Sequence, residues 1–244
     1  MKQLILNLIP APIPTFDNFV AGRNAEALEN CLRVSAQSPG ITDKNNSKIL
    51  YLWGEPGSGK THLLRSLENI DGTVFLSAID LVNEIPEARR YAVDNVQSLT
   101  DTQQVGLFNL INRVNEPHQP HQLRESASII MAGKVAPRDL AMRPELSSRL
   151  GSGLVFQLHP LSEAEKAAAL RAHAKTRSFT LREEVIAYLL RHARRDMASL
   201  IAMLDALDTH SLETGREITL PLLREISPPG LVNSLPNQRS TVSL

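Results

Sequence analysis

The chain has 244 residues, enough for one large domain or two small ones, with an apolar fraction of 42% and a formal net charge of zero. The zero net charge removes the usual argument for non-specific binding to nucleic acid, so any contact with DNA would need a local basic patch. A single cysteine, Cys31, excludes an internal disulfide and fits a reducing, cytoplasmic compartment, and no run approaches the roughly 18–20 apolar residues of a membrane span.

Residues 1–14 are predicted to form a flexible arm. The opening "MKQLILNL" is apolar but short, and Pro10, Pro12 and Pro14 follow it at once, which is unlike a secretory signal peptide. The alternating prolines favour extended chain and exclude a helix. By pattern alone, the opening stretch is an edge strand or a frayed terminus.

Residues 15–161 alternate between helix and strand patterns. The first helix is predicted over 24–36 with Asn24 as its N-cap, and the apolar "KILYLWG" (48–54) predicts a buried parallel strand with Trp53 in the core. The pattern continues with helices over 61–70, 100–116 and 145–153, and with strands over 73–78, 90–96, 128–133 and 154–158. This alternation predicts an α/β domain with a three-layer parallel sheet.

After Leu161 the apolar spacing becomes purely helical. Helices are predicted over 162–177, 182–195, 197–212 and 220–226. Together they predict a helical subdomain over residues 162–226. Residues 227–244 are rich in Pro, Ser and Asn and are predicted to be a disordered tail.

The strongest motif is "GEPGSGKT", which lies between a predicted strand and a predicted helix and fits G-x-x-x-x-G-K-[ST] in full. Its glycines let backbone N–H groups turn towards phosphate oxygens, and the following helix adds its positive end. The lysine is expected to reach the β- and γ-phosphates, and the threonine hydroxyl to ligate Mg²⁺. The predicted phosphate-binding residues are Gly54, Glu55, Pro56, Gly57, Ser58, Gly59, Lys60 and Thr61.

A loop of this kind needs an acid to hold its metal, and "YAVDNV" supplies Asp94 at the end of an apolar strand. Thr61 and Asp94 are therefore the predicted Mg²⁺ residues, although a lone Asp at a strand end can also be a helix cap or turn residue. The next residue, Asn95, carries an amide that can orient water but is a poor base at neutral pH. Asp94 and Asn95 are thus candidate catalytic residues of a site whose own ATP hydrolysis is at most weak.

Four stretches together resemble the DnaA/Hda family of AAA+ proteins, and they occur in the family's order. They are "TFDNFVAGRN" (15–24), "GEPGSGKTHLL" (54–64), "DNVQSL" (94–99) and "SSRLGSGLVFQLHPLSEAEK" (147–166). The resemblance covers roughly residues 15–226. It implies an AAA+ P-loop core followed by a helical lid, with ADP or ATP and Mg²⁺ bound between the two.

The resemblance also implies roles for residues outside the phosphate loop. Phe16, Phe19 and Val20 of "FDNFV" would lie near the nucleotide base, and His62 would pack beside the loop. Arg149 of "SRL" would be an arginine finger that acts in trans on the γ-phosphate of a neighbouring molecule. By spacing alone, Arg149 would be a solvated or capping arginine.

The opening peptide "QLILNL" resembles the Q-L-x-L-x-L peptide that docks on the replication sliding clamp, the β subunit of DNA polymerase III. Gln3 would bond in a polar pocket, and Leu4, Leu6 and Leu8 would fill an apolar groove. Residues 227–244 are too few for the helix-turn-helix domain that an initiator carries after its lid. With the "DN" pair at 94–95, this is the pattern of the Hda branch of the family.

This resemblance implies an inhibitor of DNA replication that docks on the DNA-loaded clamp and stimulates hydrolysis of DnaA-bound ATP. Its partners would be the clamp and DnaA. The protein would contact DNA only through the clamp and would not bind a membrane, and the resemblance leaves open whether it forms a homo-oligomer. The place of action would be the cytoplasm, at the replisome. Two alternatives remain. A DnaA-like helicase loader or DNA-binding AAA+ ATPase would need a basic groove for single-stranded DNA. An independent ATPase motor would need an acid at position 95.

The chain departs from the family pattern in two places. Ala198 stands where the third lid helix usually offers an arginine to the phosphates, so that either Arg194 or Arg195 replaces it or sensing of the γ-phosphate is lost. Gly133 and Lys134 stand where relatives often have a small polar residue and an acid. These departures leave the preference for ADP or ATP open.

Overall fold

The computed structural model describes residues 13–36, 47–116, 127–192 and 196–226, which form two compact units, Ile13–Leu161 and residues 162–226. Most of the predicted N-terminal arm, residues 117–126 and the predicted tail lie outside the described residues. No helix in the described ranges is long and apolar enough to cross a membrane.

The first unit is an α/β domain with a five-stranded parallel sheet, as the alternating pattern predicts. Its strands are β1 Ile49–Trp53, β2 Thr73–Leu76, β3 Arg90–Val93, β4 Ser128–Gly133 and β5 Leu154–Gln157. Its helices are α1 Ala25–Ser35, α2 Lys60–Ser66, α3 Asp101–Asn115 and α4 Pro144–Gly151. The strand order is β2-β3-β4-β1-β5, so the carboxyl ends of all five strands meet at one edge of the sheet.

The sheet is covered on both faces, which explains why β1 is apolar without alternation. Ile49 and Tyr51 pack in a core cluster with side chains of α3 and α4, whereas Leu50 and Leu52 pack in a second cluster with α1 and α2. Trp53 departs from the prediction because it is only partly buried at the end of the strand.

Asn24 does not cap α1 as its position suggested. The residue ends a short 3₁₀ turn, Gly22–Asn24, and its φ and ψ of −100° and 17° lie outside the extended region that a capping side chain needs. Its side chain instead donates to the His159 carbonyl at 2.8 Å and accepts from the His159 N–H at 2.8 Å. Asn24 therefore ties the start of α1 to the segment after β5.

The second unit consists of four helices in the described residues, α5 Glu163–Thr176, α6 Glu183–His192, α7 Met197–Thr214 and α8 Leu220–Ile226. Ser162 and Glu165 form a reciprocal capping box at the start of α5. Arg177 follows α5 and pairs with Asp205 at 3.1 Å and with Asp208 at 2.9 Å on α7. Apolar side chains from all four helices form a separate core, as the helical spacing predicts.

Candidate nucleotide-binding site

The phosphate loop connects the end of β1 to the start of α2, at the carboxyl edge of the sheet. Two of its glycines are fixed by close approach of other groups. A Cβ atom at Gly54 would lie 2.2 Å from the carbonyl oxygen of Leu158, and one at Gly59 would lie 2.6 Å from the ring of Phe19. Gly59 also has a φ of +97°, which side chains other than glycine disfavour. The backbone can therefore wrap tightly only with these residues in place.

Lys60 is the first residue of α2 and turns back over the loop. Its ammonium group donates to the carbonyl oxygens of Gly54 at 2.7 Å and Glu55 at 2.8 Å, and to the Ser58 hydroxyl at 3.2 Å. Burial is the main cause of a lowered Lys60 pKa, the charge of Asp94 opposes this shift, and that of Lys134 adds to it. The loop thus holds a half-buried cation that an incoming phosphate can bind.

Thr61 and Asp94 lie side by side, as a shared Mg²⁺ site requires. The Thr61 hydroxyl donates to Asp94 Oδ2 at 2.7 Å, and Asp94 Oδ1 accepts from the Asn95 N–H at 2.8 Å. A hydroxyl and a carboxylate are ligands that fit Mg²⁺, which takes its other ligands from phosphate oxygens and water. These two residues would therefore hold the ion, and the ion would neutralise charge on the phosphates.

A short hydrogen-bonded chain crosses from the end of β3 to the end of β4. The Gln97 side chain donates to Asn95 Oδ1 at 3.2 Å and accepts from the Lys134 N–H at 3.2 Å. Sequence analysis missed Gln97 and treated Lys134 only as a departure from the family. Both residues could be assigned to the site only by knowing that β4 lies between β3 and β1, and the sequence does not contain this strand order.

The segment predicted to lie near the base packs beside the loop. Phe16 and Phe19 join the cluster under α1 and α2, and Val20 is partly buried. The ring of Phe19 lies 5.5 Å from that of His62, and His62 Nε2 lies 3.0 Å from the Thr15 carbonyl oxygen. Since a carbonyl only accepts, Nε2 carries the proton, and His62 anchors this segment to α2.

Arg149 lies in the last turn of α4, apart from the phosphate loop. Since β4 and β5 are both parallel to β1, α4 returns the chain from the carboxyl edge of the sheet to the amino edge. Arg149 therefore lies towards the amino edge, whereas the loop lies at the carboxyl edge. Its exposed guanidinium lies 6.0 Å from the ring centroid of Phe108. Arg149 is thus placed for contact outside its own phosphate site.

The predicted clamp-docking residues lie outside the described residues: Gln3, Leu4, Leu6 and Leu8. Arg194 and Arg195 also lie outside them, and Ala198 is described only as backbone of α7.

Two family models match the chain. A model of the Hda lid domain matches residues 163–226, and a model of the bacterial DnaA ATPase domain matches residues 12–75. The first match falls on the helical unit, and the second includes α1, β1, the phosphate loop and α2.

Solved structures have the same fold. Domain III of the Thermotoga maritima replication initiation protein DnaA superposes with a TM-score of 0.64 and 23% identity, over 88% of this chain and 95% of that chain. AMPPCP-bound DnaA from Aquifex aeolicus superposes with a TM-score of 0.61 and 22% identity, over 83% of this chain and 67% of that chain. The Thermotoga maritima RuvB Holliday junction branch migration motor superposes with a TM-score of 0.56 and 14% identity, over 88% of this chain and 71% of that chain.

A parallel β2-β3-β4-β1-β5 sheet with a phosphate loop after β1, followed by a helical unit, is the fold of AAA+ proteins. With a DnaA ATPase match at one end and an Hda lid match at the other, the chain belongs to the DnaA/Hda family of AAA+ proteins.

Proposed function

We propose that this protein is a negative regulator of replication initiation, which docks on the DNA-loaded sliding clamp and stimulates hydrolysis of the ATP bound to DnaA. The observation that carries the proposal is a contrast within the first unit. Its own phosphate site has an amide at Asn95, whereas an exposed arginine, Arg149, lies towards the other edge of the sheet. The chain is therefore better suited to complete a partner's active site than to turn over ATP itself.

The phosphate loop binds an adenine nucleotide, ADP or ATP, together with Mg²⁺. The positions of Lys60, Thr61 and Asp94 support this part of the proposal, and the Aquifex aeolicus DnaA of similar fold is bound to AMPPCP. In this chain the nucleotide is a structural cofactor that orders the loop, because no carboxylate follows Asp94 to activate water.

Arg149 supplies a positive charge to the active site of the partner. When a γ-phosphate is transferred to water, negative charge spreads over its oxygens, and a fixed guanidinium stabilises that charge. The exposure of Arg149 and its distance in the fold from its own loop support action in trans. DnaA shares this fold, so it offers a comparable neighbouring surface.

The peptide at residues 3–8 brings the protein to the clamp. Gln3, Leu4, Leu6 and Leu8 are spaced for one polar contact and three apolar contacts along an extended chain. The proline-rich segment that follows would tether the peptide to the rest of the chain. Docking raises the local concentration of the arginine finger near DnaA only where the clamp is loaded on DNA.

The test is a reconstituted hydrolysis assay. DnaA is loaded with labelled ATP, and conversion to ADP is measured with this protein, clamp-loaded DNA, or both. The proposal predicts rapid conversion only when both are present. Equal conversion without the clamp would refute docking, and no stimulation in any mixture would refute the regulator function. Tight binding of single-stranded DNA by this protein alone would favour a DNA-binding loader instead.

A further inference from the structure

A groove, here called the α3 groove, runs between α3 and the chain that connects β2 to β3. Its volume is about 390 Å³, which is in the range of ligand-binding clefts. It is lined mainly by Leu81, Val82 and Ile85 of the connection and by Val105, Asn109 and Arg113 of α3. Among the described residues, none of those assigned to the nucleotide site lines it. The α3 groove is therefore a separate feature of the first unit.

Contacts along both walls fix the shape of the α3 groove. A Cβ atom at Gly106 would lie 1.7 Å from the carbonyl oxygen of Leu81, so only glycine lets the connection lie directly on the helix. Further along, the Arg113 guanidinium donates to the Ile85 carbonyl at 3.3 Å and to the Tyr91 hydroxyl at 3.1 Å. The two walls are thus joined before anything binds, and an occupant would not have to order them.

Apolar side chains at the rim of the α3 groove are left in water. Val82 on the connection is 45% exposed and Val105 on α3 is 38% exposed. Ile79, three residues before Val82, is 65% exposed. Exposed apolar side chains grouped beside a groove are a frequent mark of a protein contact. An apolar side chain packed against both valines would remove their exposed area from water and favour binding.

The polar side chains of the α3 groove suit the backbone of an extended peptide. The side-chain amides of Asn83 and Asn109, one on each wall, form no hydrogen bond within the described residues. Each amide can donate and accept at once, as a peptide unit requires. At about 1.5 Å per residue, α3 from Thr102 to Arg113 is roughly 17 Å long, which matches about five residues of extended chain.

The charges beside the α3 groove favour a basic occupant. Glu84 follows Asn83 on one wall and Asp101 precedes Thr102 on the other, and both carboxylates are exposed with no ion pair to any described residue. The charged residue that lines the groove, Arg113, is at the opposite end of α3 from Asp101 and already donates to two neutral oxygens. A cation would therefore be attracted to the Asp101 end, whereas the phosphates of a nucleic acid would be repelled there.

We infer that the α3 groove is a docking site for an extended segment of a partner protein that carries apolar side chains and a basic residue. The apolar side chains pack on Val82 and Val105, and the amides of Asn83 and Asn109 pair with the backbone of the segment. The basic residue lies at the end of the groove near Asp101. This contact uses neither the nucleotide site nor Arg149, so it adds a second surface for partners to the one in the proposed function.

The test titrates the full-length protein into fluorescein-labelled synthetic peptides and follows their anisotropy. Three capped peptides share a Val-Ile-Leu core, which is flanked by lysines, by serines or by glutamates. The variant Val82→Ser with Val105→Ser removes the apolar rim, and Glu84→Lys reverses one charge beside it. Leu212→Ser is the matched control, because Leu212 is an apolar side chain in α7 that is 77% exposed and does not line the groove.

The lysine-flanked peptide is expected to bind best, and the glutamate-flanked peptide about fivefold or more weakly, as two exposed charge pairs allow. Val82→Ser with Val105→Ser should weaken the lysine-flanked peptide by about tenfold, and Leu212→Ser should not change its affinity. Glu84→Lys should reduce the preference for lysine over glutamate. Since Glu84 is exposed, that variant keeps the test decisive if the serine pair fails to fold.

Three results would overturn the inference. The first is that no peptide binds, and the second is that the glutamate-flanked peptide binds as well as the lysine-flanked one. The third is that a single-stranded oligonucleotide displaces the bound peptide, which would make the α3 groove a nucleic-acid site. None of these results would affect the proposed nucleotide binding, which a separate titration with ADP measures.

Discussion

Asn95 determines what this site can do with a bound nucleotide. Its backbone has a φ of +55°, in the left-handed region that Asn and Asp tolerate better than most residues. Its side-chain oxygen accepts from Gln97, so the amide is oriented rather than free. An amide held in this way can position water but takes no proton from it at neutral pH.

We therefore expect the isolated protein to hydrolyse ATP slowly and Asn95→Asp to hydrolyse it faster, by about tenfold or more, since a general base contributes about 10²–10⁴. Aspartate is nearly isosteric and tolerates the same left-handed backbone, so the fold should not change. Steady-state phosphate release would measure both rates. Fast turnover by the wild-type protein, or no gain in the variant, would contradict this account of Asn95.

His62 makes the stability of the first unit depend on pH. Burial lowers the His62 pKa from its usual 6.5, and the bond to the Thr15 carbonyl opposes this shift without cancelling it. As pH falls below 6.5, the unfolded chain binds a proton at this residue before the folded chain does. The stability that neutral His62 contributes above that pH is therefore lost as the pH falls towards the pKa that His62 has in the folded protein.

Chemical denaturation between about pH 7.5 and about pH 5.5 tests this expectation. His62→Gln keeps an amide that can donate to the Thr15 carbonyl but does not titrate, so it should lose less stability over this range than the wild-type protein. A variant that loses as much stability as the wild type would show that His62 is not the group responsible.

At the scale of elements, the phosphate loop combines two separate constraints on its glycines. Gly57 and Gly59 both have positive φ, at +82° and +97°. A Cβ atom at Gly57 would meet nothing within 4 Å, whereas one at Gly59 would meet the ring of Phe19. The two positions therefore separate the cost of backbone strain from the cost of a steric clash.

Both Gly→Ala changes should cost about 1–3 kcal/mol of strain in the free energy of unfolding, and Gly59→Ala should cost more than Gly57→Ala. Gly59→Ala should also weaken nucleotide binding more, because it shifts the start of α2 or the ring of Phe19. Denaturation curves and nucleotide titrations of both variants check this order. Equal losses would mean that the contact with Phe19 contributes nothing.

The elements could be predicted from sequence, but their side-by-side order could not. Apolar runs and helical spacing locate the five strands and eight α-helices of the described residues, because local periodicity reports burial on one or two faces. The 3₁₀ turns were not predicted, and the strand predicted over 90–96 ends at Val93. Nothing local states that β4 lies between β3 and β1, since parallel pairing joins residues far apart in the chain. The bond of Gln97 to the Lys134 backbone was therefore missed, and the role of Asn24 was wrong because its partner, His159, is distant in sequence.

At the scale of the whole molecule, the proposed function requires that the clamp-docking peptide at residues 3–8 and the AAA+ core act independently. We expect Gln3→Ala with Leu4→Ala to abolish clamp binding while nucleotide binding and thermal stability stay unchanged. The matched control, Ile5→Ala with Asn7→Ala, changes only the positions that the motif leaves open. Surface plasmon resonance on immobilised clamp distinguishes the two variants. Loss of binding in both, or in neither, would contradict the assignment of the peptide.

The most direct test of the central claim is the rate at which DnaA-bound ATP is hydrolysed on clamp-loaded DNA when Arg149→Ala replaces the wild-type protein. The variant should lose about a thousandfold in stimulation, as the loss of an arginine finger does, yet keep clamp and nucleotide binding. Arg143→Ala, an exposed arginine preceding the same helix, is the control and should stimulate normally. Undiminished stimulation by Arg149→Ala would contradict the claim that this chain supplies the catalytic arginine.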